Sequence, residues 1–580
     1  MRTRERIHPE MTVREINLRY PACREVFARH GMGGCGGAYG PPEPIDLFAR
    51  SHRIQLDQLI QELEAAVQAN GTRDEGEGRA EDEGTLYGLC QRFVKTAILI
   101  TLSFGTLWGV ILLTQIAWGR SFQAPGYAEV QAHGHAQFFG WVGLFIMGVA
   151  YYVLPKFKDV PFSRLQYRLA NLSLGLMATG VAVRAVSQPL ADSALFAGLE
   201  VVSAAVEWVS VVLFVGISLQ IFSRSRSPRE FYDPYLLGSL VWFLGMGLMN
   251  LILISQAALH LETAIRGPWN SAFLHLTVYG FMANMIFGVS FRVLPNFLVL
   301  RQQSERAARL AFWLFNVGVF ARAFVPGWAV LSSLLEGIGI VLVVRSLGIF
   351  TRPVVQLVIP GVDQAFGWFI KAGYGWLLIA GLMVLGGDLY ALVSGELLPH
   401  AYVGSYRHAI TVGFITSLIL GVAYRILPIF NGTELYRPGL MRLSFYLLLL
   451  GNTLRVVFQA GTLVWGHWPY LLVGVSGYLE LSALALFGWN IFQTLREASG
   501  EDFLKDRAVS GGTRVADLLD ACPEVRSLLV RLGLEGLRAE GHRVPRFITL
   551  DFAARRHGLD PEGIVGAING YLSTAPQNVR

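Results

Sequence analysis

Between about Phe93 and Phe492 the chain is a succession of apolar stretches of twenty or more residues, separated by short polar connections. A helix rises about 1.5 Å per residue, so each stretch is long enough to cross roughly 30 Å of hydrocarbon. The pattern predicts about twelve spans and an all-α, polytopic membrane protein. Polar segments flank this region. Residues 1–68 carry helical patterning and predict a small domain, and residues 69–88, with the acidic and Gly-rich run GTRDEGEGRAEDEG, predict a flexible linker. The membrane domain is expected over 89–497. A second small helical domain is expected over 505–575, where VADLLDACPEVRSLLVRLGL alternates apolar and polar residues at helical spacing.

Composition agrees with this reading: 53% of the residues are hydrophobic and only 16% charged, and the mean hydropathy is +0.44, outside the range of soluble domains. The net charge of +6 does not point to nucleic acid, because Lys and Arg lie mostly in short loops rather than on one basic face. The loops after the second, fourth, sixth, eighth and tenth spans hold Lys156, Lys158, Arg164, Arg224, Arg226, Arg229, Arg301, Arg306, Arg309, Arg352, Arg437 and Arg442. Alternate loops are poor in both residues. The positive-inside rule therefore places the basic loops and both termini in the cytoplasm. The N-terminus has no apolar stretch followed by a small-residue cleavage site, so the first span is expected to direct insertion. Cys23, Cys35, Cys90 and Cys522 form no CxxC or CxxCH, which argues against a zinc ribbon, covalently attached haem and a disulfide framework.

The strongest signal is a segment present three times: HAQFFGWVGLFIMGVAYYVLPKF from His135, HLTVYGFMANMIFGVSFRVLPNF from His275 and HAITVGFITSLILGVAYRILPIF from His408. In each, Gly follows the His by five residues, Gly-Val begins at thirteen, Leu-Pro at nineteen and Phe stands at twenty-two. The copies start 140 and 133 residues apart (275 − 135 and 408 − 275) and fall on the second, sixth and tenth spans, which implies three arcs of four helices. The Leu-Pro is expected to end or kink the span. The Gly at five would admit either a neighbouring helix or a flat macrocycle.

The same period returns an arginine on the third, seventh and eleventh spans (Arg184, Arg322, Arg455) and a glutamate on the fourth, eighth and twelfth (Glu207, Glu336, Glu480). Charge inside a bilayer is costly and normally faces the protein interior. These residues either hold the arcs together or, for the arginines, meet the carboxylates of a bound cofactor. His135, His275 and His408 are expected at one depth, with His133 two residues before His135. Neutral imidazole suits haem iron and copper, so these four are the candidate ligands, against the alternative of helix-packing hydrogen bonds.

HGHAQFFGWVGLFIMG together with RHAITVGFITSLILGVAYR resembles the NnrS family of haem- and copper-binding membrane proteins of the nitric oxide response. The twelve-span, threefold plan also resembles the catalytic subunit of haem-copper oxidases and nitric oxide reductases. The likeness covers roughly residues 90 to 495. It implies a haem, of the b type since no covalent attachment motif is present, held by His135 (or His133) and His408. It further implies His275 as a copper ligand, with His133 near it, and Tyr279 at the position of an oxidase tyrosine. Two departures stand against a complete oxidase centre: the seventh span has no His-His pair, and the tenth has one histidine. The repeat equivalents of Tyr279 are Phe139 and Val412.

TVREINLRYPACREVFARHGM (12–32) and TRVADLLDACPEVRSLLVRLGL (513–534) are alike, so the terminal modules are expected to be related. The first is similar to the N-terminal domain of ScdA-type proteins, which repair damaged iron centres. Where that family has a Cys pair this chain has Gly34 and Cys35.

The functional expectation is a haem-binding protein of a bacterial inner membrane that handles nitric oxide or another small diatomic ligand, with lipid as its medium. Two alternatives stay open. One is a divergent oxidase-like or nitric oxide reductase-like oxidoreductase, which would need a separate electron donor. The other is a metal or cofactor transporter or insertion factor built on the same scaffold.

Overall fold

The computed structural model describes residues 7–30, 44–70, 79–353, 363–496, 508–534, 537 and 548–574, apart from 14, 15, 18, 19, 21, 52, 53, 302, 303, 326 and 432–434. Gly34 and Cys35 lie outside the described residues. Twelve described helices are long and apolar enough to cross a membrane. Spans 1 to 4 are Leu86–Gly119, Tyr127–Lys158, Arg164–Leu190 and Ala194–Ser223; spans 5 to 8 are Asp233–Leu259, Pro268–Phe297, Glu305–Phe324 and Ala329–Leu347. Spans 9 to 12 are Phe366–Ser394, His400–Phe430, Pro438–Gly461 and Pro469–Thr494. The helix containing span 1 begins at Arg79, inside the stretch expected as linker.

Spans 2, 6 and 10 form the centre: their apolar windows are 94%, 78% and 83% buried, against 28–50% for the other nine. The repeat explains why. Its two glycines face the first span of their own arc. A Cβ on Gly140, Gly280 or Gly413 would lie 2.4–2.9 Å from Ile100, Trp242 or Trp376, and one on Gly148, Gly288 or Gly421 would lie 2.3–2.9 Å from Phe93, Leu236 or Phe369. The space left by each glycine is therefore filled by a neighbouring helix and not by a flat cofactor. Gly148→Val, with its Cβ 2.3 Å from that of Phe93, should cost about 1–3 kcal/mol by overpacking, read as a lower thermal midpoint in detergent.

At the Leu-Pro end the three central spans interlock in a cycle. The residue seventeen after each His meets the Phe at twenty-two of another central span: Tyr152 with Phe430 (ring centroids 4.5 Å), Arg292 over Phe157 (5.2 Å) and Arg425 over Phe297 (5.4 Å). Pro155, Pro295 and Pro428 stand in the closing turns of their helices. Around the centre the other spans close a ring. Glycines again mark the junctions between arcs: Gly247 against Trp208, Gly381 against Ile340, and Gly474 and Gly477 of span 12 against Ala117 and Leu113 of span 1.

Each terminal module is a set of short helices over its own apolar core. The first has Cys23–Arg29, Ile45–Ser51 and Leu56–Asn70; the second has Val515–Ala521, Val525–Arg531, Leu550–Arg556 and Pro561–Thr574. Each also has one antiparallel bridge at the matching place, Thr12 with Pro44 and Arg514 with Thr549. His557 of the second hydrogen-bonds Glu10 of the first. Cys23 is a core residue with its thiol pushed up to about 12 by burial, as expected of an unreactive structural cysteine.

Candidate functional site

The three central spans share a local feature that follows directly from the repeat. Immediately after each His the helix widens into a π-helical segment: Ala136–Gly143, Leu276–Ala283 and Ala409–Thr416. Wide turns of this kind re-aim the residues before them and concentrate at functional sites. A fourth such segment, Thr101–Gly105, lies in span 1.

The arginine and glutamate spans cross closely by a rule that the sequence also contains. Gly180, Gly318 and Gly451 each stand four residues before the arginine. A Cβ there would lie 2.5, 2.7 and 3.0 Å from the Cγ of Glu207, Glu336 and Glu480, and 2.8–3.1 Å from the carbonyl of Ser203, Ser332 and Ser476. The pairing Gly-x3-Arg with Ser-x3-Glu thus seats the glutamate of every arc in the same place.

What the glutamate then meets differs between arcs. In the first, His135 Nε2 and Glu207 Oε1 are 2.9 Å apart, and Asn250 Nδ2 donates to Glu207 Oε2 at 3.4 Å. Arg184 is held by Glu200 at 3.2 Å and donates to Gln188 at 2.9 Å. In the second, His275 Nε2 and Glu336 Oε1 are again 2.9 Å apart, and the imidazole stacks on Tyr279 with centroids 4.5 Å apart. Arg322 pairs with Asp388 of span 9 and donates to the Ala329 carbonyl at 3.2 Å. The Tyr279 hydroxyl is buried without a partner among the described residues. In both arcs the repeated histidine is tied to a carboxylate.

The third arc is built otherwise. His408 turns its Nδ1 to the Gly404 carbonyl, one helical turn back, at 3.1 Å. His133 enters the same arc from span 2 and donates Nδ1–H to the Gly105 carbonyl at 3.0 Å. That carbonyl belongs to the π-helical turn of span 1, and Gly109 makes room for the ring, since a Cβ there would lie 2.7 Å from His133 Cε1. His133, His408 and Arg455 are close enough to act on one another's charge. With Nδ1 bound to a carbonyl, each imidazole is fixed in the tautomer that leaves the Nε2 lone pair available, the arrangement of a metal-ligating histidine. Neither Nε2 makes a hydrogen bond among the described residues.

In this arc Arg455 acts on both rings, and Arg455 Nε and Nη1, Glu480 Oε1, both amide atoms of Asn452 and Gln459 Oε1 are buried without hydrogen-bond partners among the described residues. Buried polar groups are ordinarily satisfied. The first arc holds orphaned atoms too, on Arg184, Glu200 and Asn250; what sets the third apart is that its glutamate holds no histidine, whereas Glu207 and Glu336 do. The donors of Arg455 and Asn452 are of the kind that recognise a carboxylate.

Of the residues expected from sequence, the structure brings His133, His408 and Arg455 together. His135 and Arg184 stand in the first arc, and His275 and Arg322 in the second. His133 turns to the Gly105 carbonyl and His275 to Glu336, so the two histidines named for copper are held by different partners. Among the described residues no three His, Cys, Asp or Glu side chains converge as a metal-holding group. The helix explains the separation of His133 from His135: two residues advance the helix by about 200°, so neighbouring histidines at that spacing face opposite sides. Position two before the repeated His serves a neighbouring arc throughout. Phe273 stacks on Phe139 in the first arc, Tyr406 acts on Tyr279 and Arg322 in the second, and His133 reaches His408 in the third.

The NnrS protein family model matches residues 93–498, more than half of the sequence. The chain belongs to the NnrS family. The match takes in the twelve spans, all but the start of the first, and leaves the two terminal modules outside. Among solved structures, the NnrS chain is similar to a heme-copper terminal oxidase studied by cryo-EM as a dimer, at 15% identity and a TM-score of 0.55, over 84% of this chain and all of that one. At that identity the likeness establishes a shared fold. No curated protein matches the chain. In this NnrS protein His133 and His408 keep Nε2 free of hydrogen bonds among the described residues, while the repeated histidines of the first two arcs pair with Glu207 and Glu336.

Proposed function

We propose that the protein is a haem-binding membrane protein that handles nitric oxide, with a b-type haem held in the third arc by Nε2 of His133 and of His408. The observation behind this reading is the pair of imidazoles in one arc, each with Nδ1 satisfied by a backbone carbonyl and Nε2 uncommitted. The orphaned guanidinium of Arg455 and the amide of Asn452 fit the carboxylates that a non-covalent haem retains. When bound, haem iron supplies reversible one-electron chemistry and affinity for nitric oxide. The protein's own part is to fix both imidazoles, neutralise the carboxylates with Arg455 and exclude bulk water. A separate electron donor serves it, and the basic loops orient it in a bacterial inner membrane with both termini in the cytoplasm.

A divergent oxidase would need a second metal centre, and the histidines that could build one, His135 and His275, are engaged by Glu207 and Glu336. The test is spectroscopic. Protein purified in detergent from haem-replete cells should show a haem b pyridine haemochrome, and nitric oxide added to the reduced form should shift its visible bands. Haem-free protein would displace this reading in favour of a transporter or insertion factor. Haem with no response to nitric oxide would leave the cofactor and remove the ligand.

A further inference from the structure

Glu480 is the one repeated glutamate that holds no histidine. Its counterparts Glu207 and Glu336 each bind the histidine of their arc at 2.9 Å. In the third arc His408 is turned to the Gly404 carbonyl, and Glu480 Oε1 is left buried without a partner among the described residues. The charged group that acts on Glu480 is Arg455 of span 11, and the two form no ion pair within bonding reach, so both Nε and Nη1 of Arg455 also remain unpartnered.

From this asymmetry we infer that Glu480 is a redox-linked proton site: it takes up a proton when the haem held by His133 and His408 is reduced, and releases it on oxidation. The inference rests on the haem reading above. Arg455 is the one cation that acts on Glu480 among the described residues, and engaging the carboxylates of the haem would draw part of that charge away. A carboxylate in a low-dielectric interior must then respond to the charge of its surroundings, because an electron added nearby disfavours the ionised form. The step balances simply. One electron from a reductant such as dithionite enters the iron, and one proton from solvent joins the carboxylate oxygen.

The groups facing Glu480 are few. Span 11 offers Arg455; His408 of span 10 and His133 of span 2 lie beyond it, next to Arg455. Tyr478, two residues before Glu480 on span 12, lies on the opposite, exposed side of the helix and is hydrogen-bonded to Thr114 at 2.9 Å. Span 1, packed along the other side, has no ionisable side chain between Thr101 and Gly119.

The experiment is a potentiometric titration of the haem bands of the full chain at several pH values, in wild type and in Glu480→Gln. The wild-type midpoint should fall by up to about 59 mV for each tenfold fall in proton concentration, and the Glu480→Gln midpoint should be flat with haem content retained. Redox-difference infrared spectra of the wild type alone should show a carboxylic acid band in the reduced form, which keeps the test decisive if the variant fails to fold. Equal slopes in both proteins, or a flat wild type without that band, would overturn the proposal while leaving the haem reading intact. Protein without haem would overturn both.

Discussion

His133→Ala and His408→Ala should each abolish stable haem binding, whereas His135→Ala should leave haem content near that of wild type. The contrast follows from where the nitrogen atoms point. His133 and His408 present Nε2 into one arc with Nδ1 committed to the Gly105 and Gly404 carbonyls, while His135 spends Nε2 on Glu207. Loss of an outer partner of a metal site costs roughly 10–100-fold in affinity, and loss of an axial ligand should cost more. The pyridine haemochrome per protein measures the effect directly. Haem retained in His133→Ala but lost in His135→Ala would move the site to the first arc and refute the assignment. Gly109 offers an independent approach to the same question, because a side chain there displaces the His133 ring without removing it.

Glu207→Ala should be the most destabilising single change in the first arc, by about 3–5 kcal/mol, with the haem content of the folded fraction unchanged. The carboxylate is buried, accepts from Asn250 and holds His135. Its removal leaves an imidazole and an amide unsatisfied inside the protein, and each such group costs its desolvation. Glu207→Gln retains a hydrogen-bonding side chain of the same length and should lose much less. Denaturation in detergent, followed by circular dichroism together with the haem bands, separates the two effects. A Glu207→Ala protein as stable as wild type would show that the His-Glu pair does not hold the arc, and would reopen the first arc as a ligand site.

Hydrophobic length was sufficient to predict about twelve spans, and the three repeated segments to bring spans 2, 6 and 10 to attention. Glycine at five could be read in advance as a close approach, although only packing showed that Ile100, Trp242 and Trp376 fill it. Two further signals stand in the sequence. Gly stands four before each repeated arginine and Ser four before each repeated glutamate, which announces the crossing of those spans. The HGH spacing itself says that His133 and His135 face opposite sides of their helix. Asp388 as the partner of Arg322 could not have been found this way, because it breaks the period.

By itself the sequence determined the class of protein, its all-α polytopic fold of about twelve spans and a short list of polar residues expected to face inward, since hydrophobic length and period are local properties of the chain. Only the tertiary structure decided which histidine serves which arc, that Glu207 and Glu336 tie up two of them, and that buried atoms of Arg455, Asn452 and Glu480 have no partners among the described residues. Those outcomes depend on the rotation of each helix about its axis, altered by a π-helical segment beside every repeated histidine, and on the closure of span 12 against span 1. Residues hundreds of positions apart are thereby made neighbours, and no local pattern encodes that.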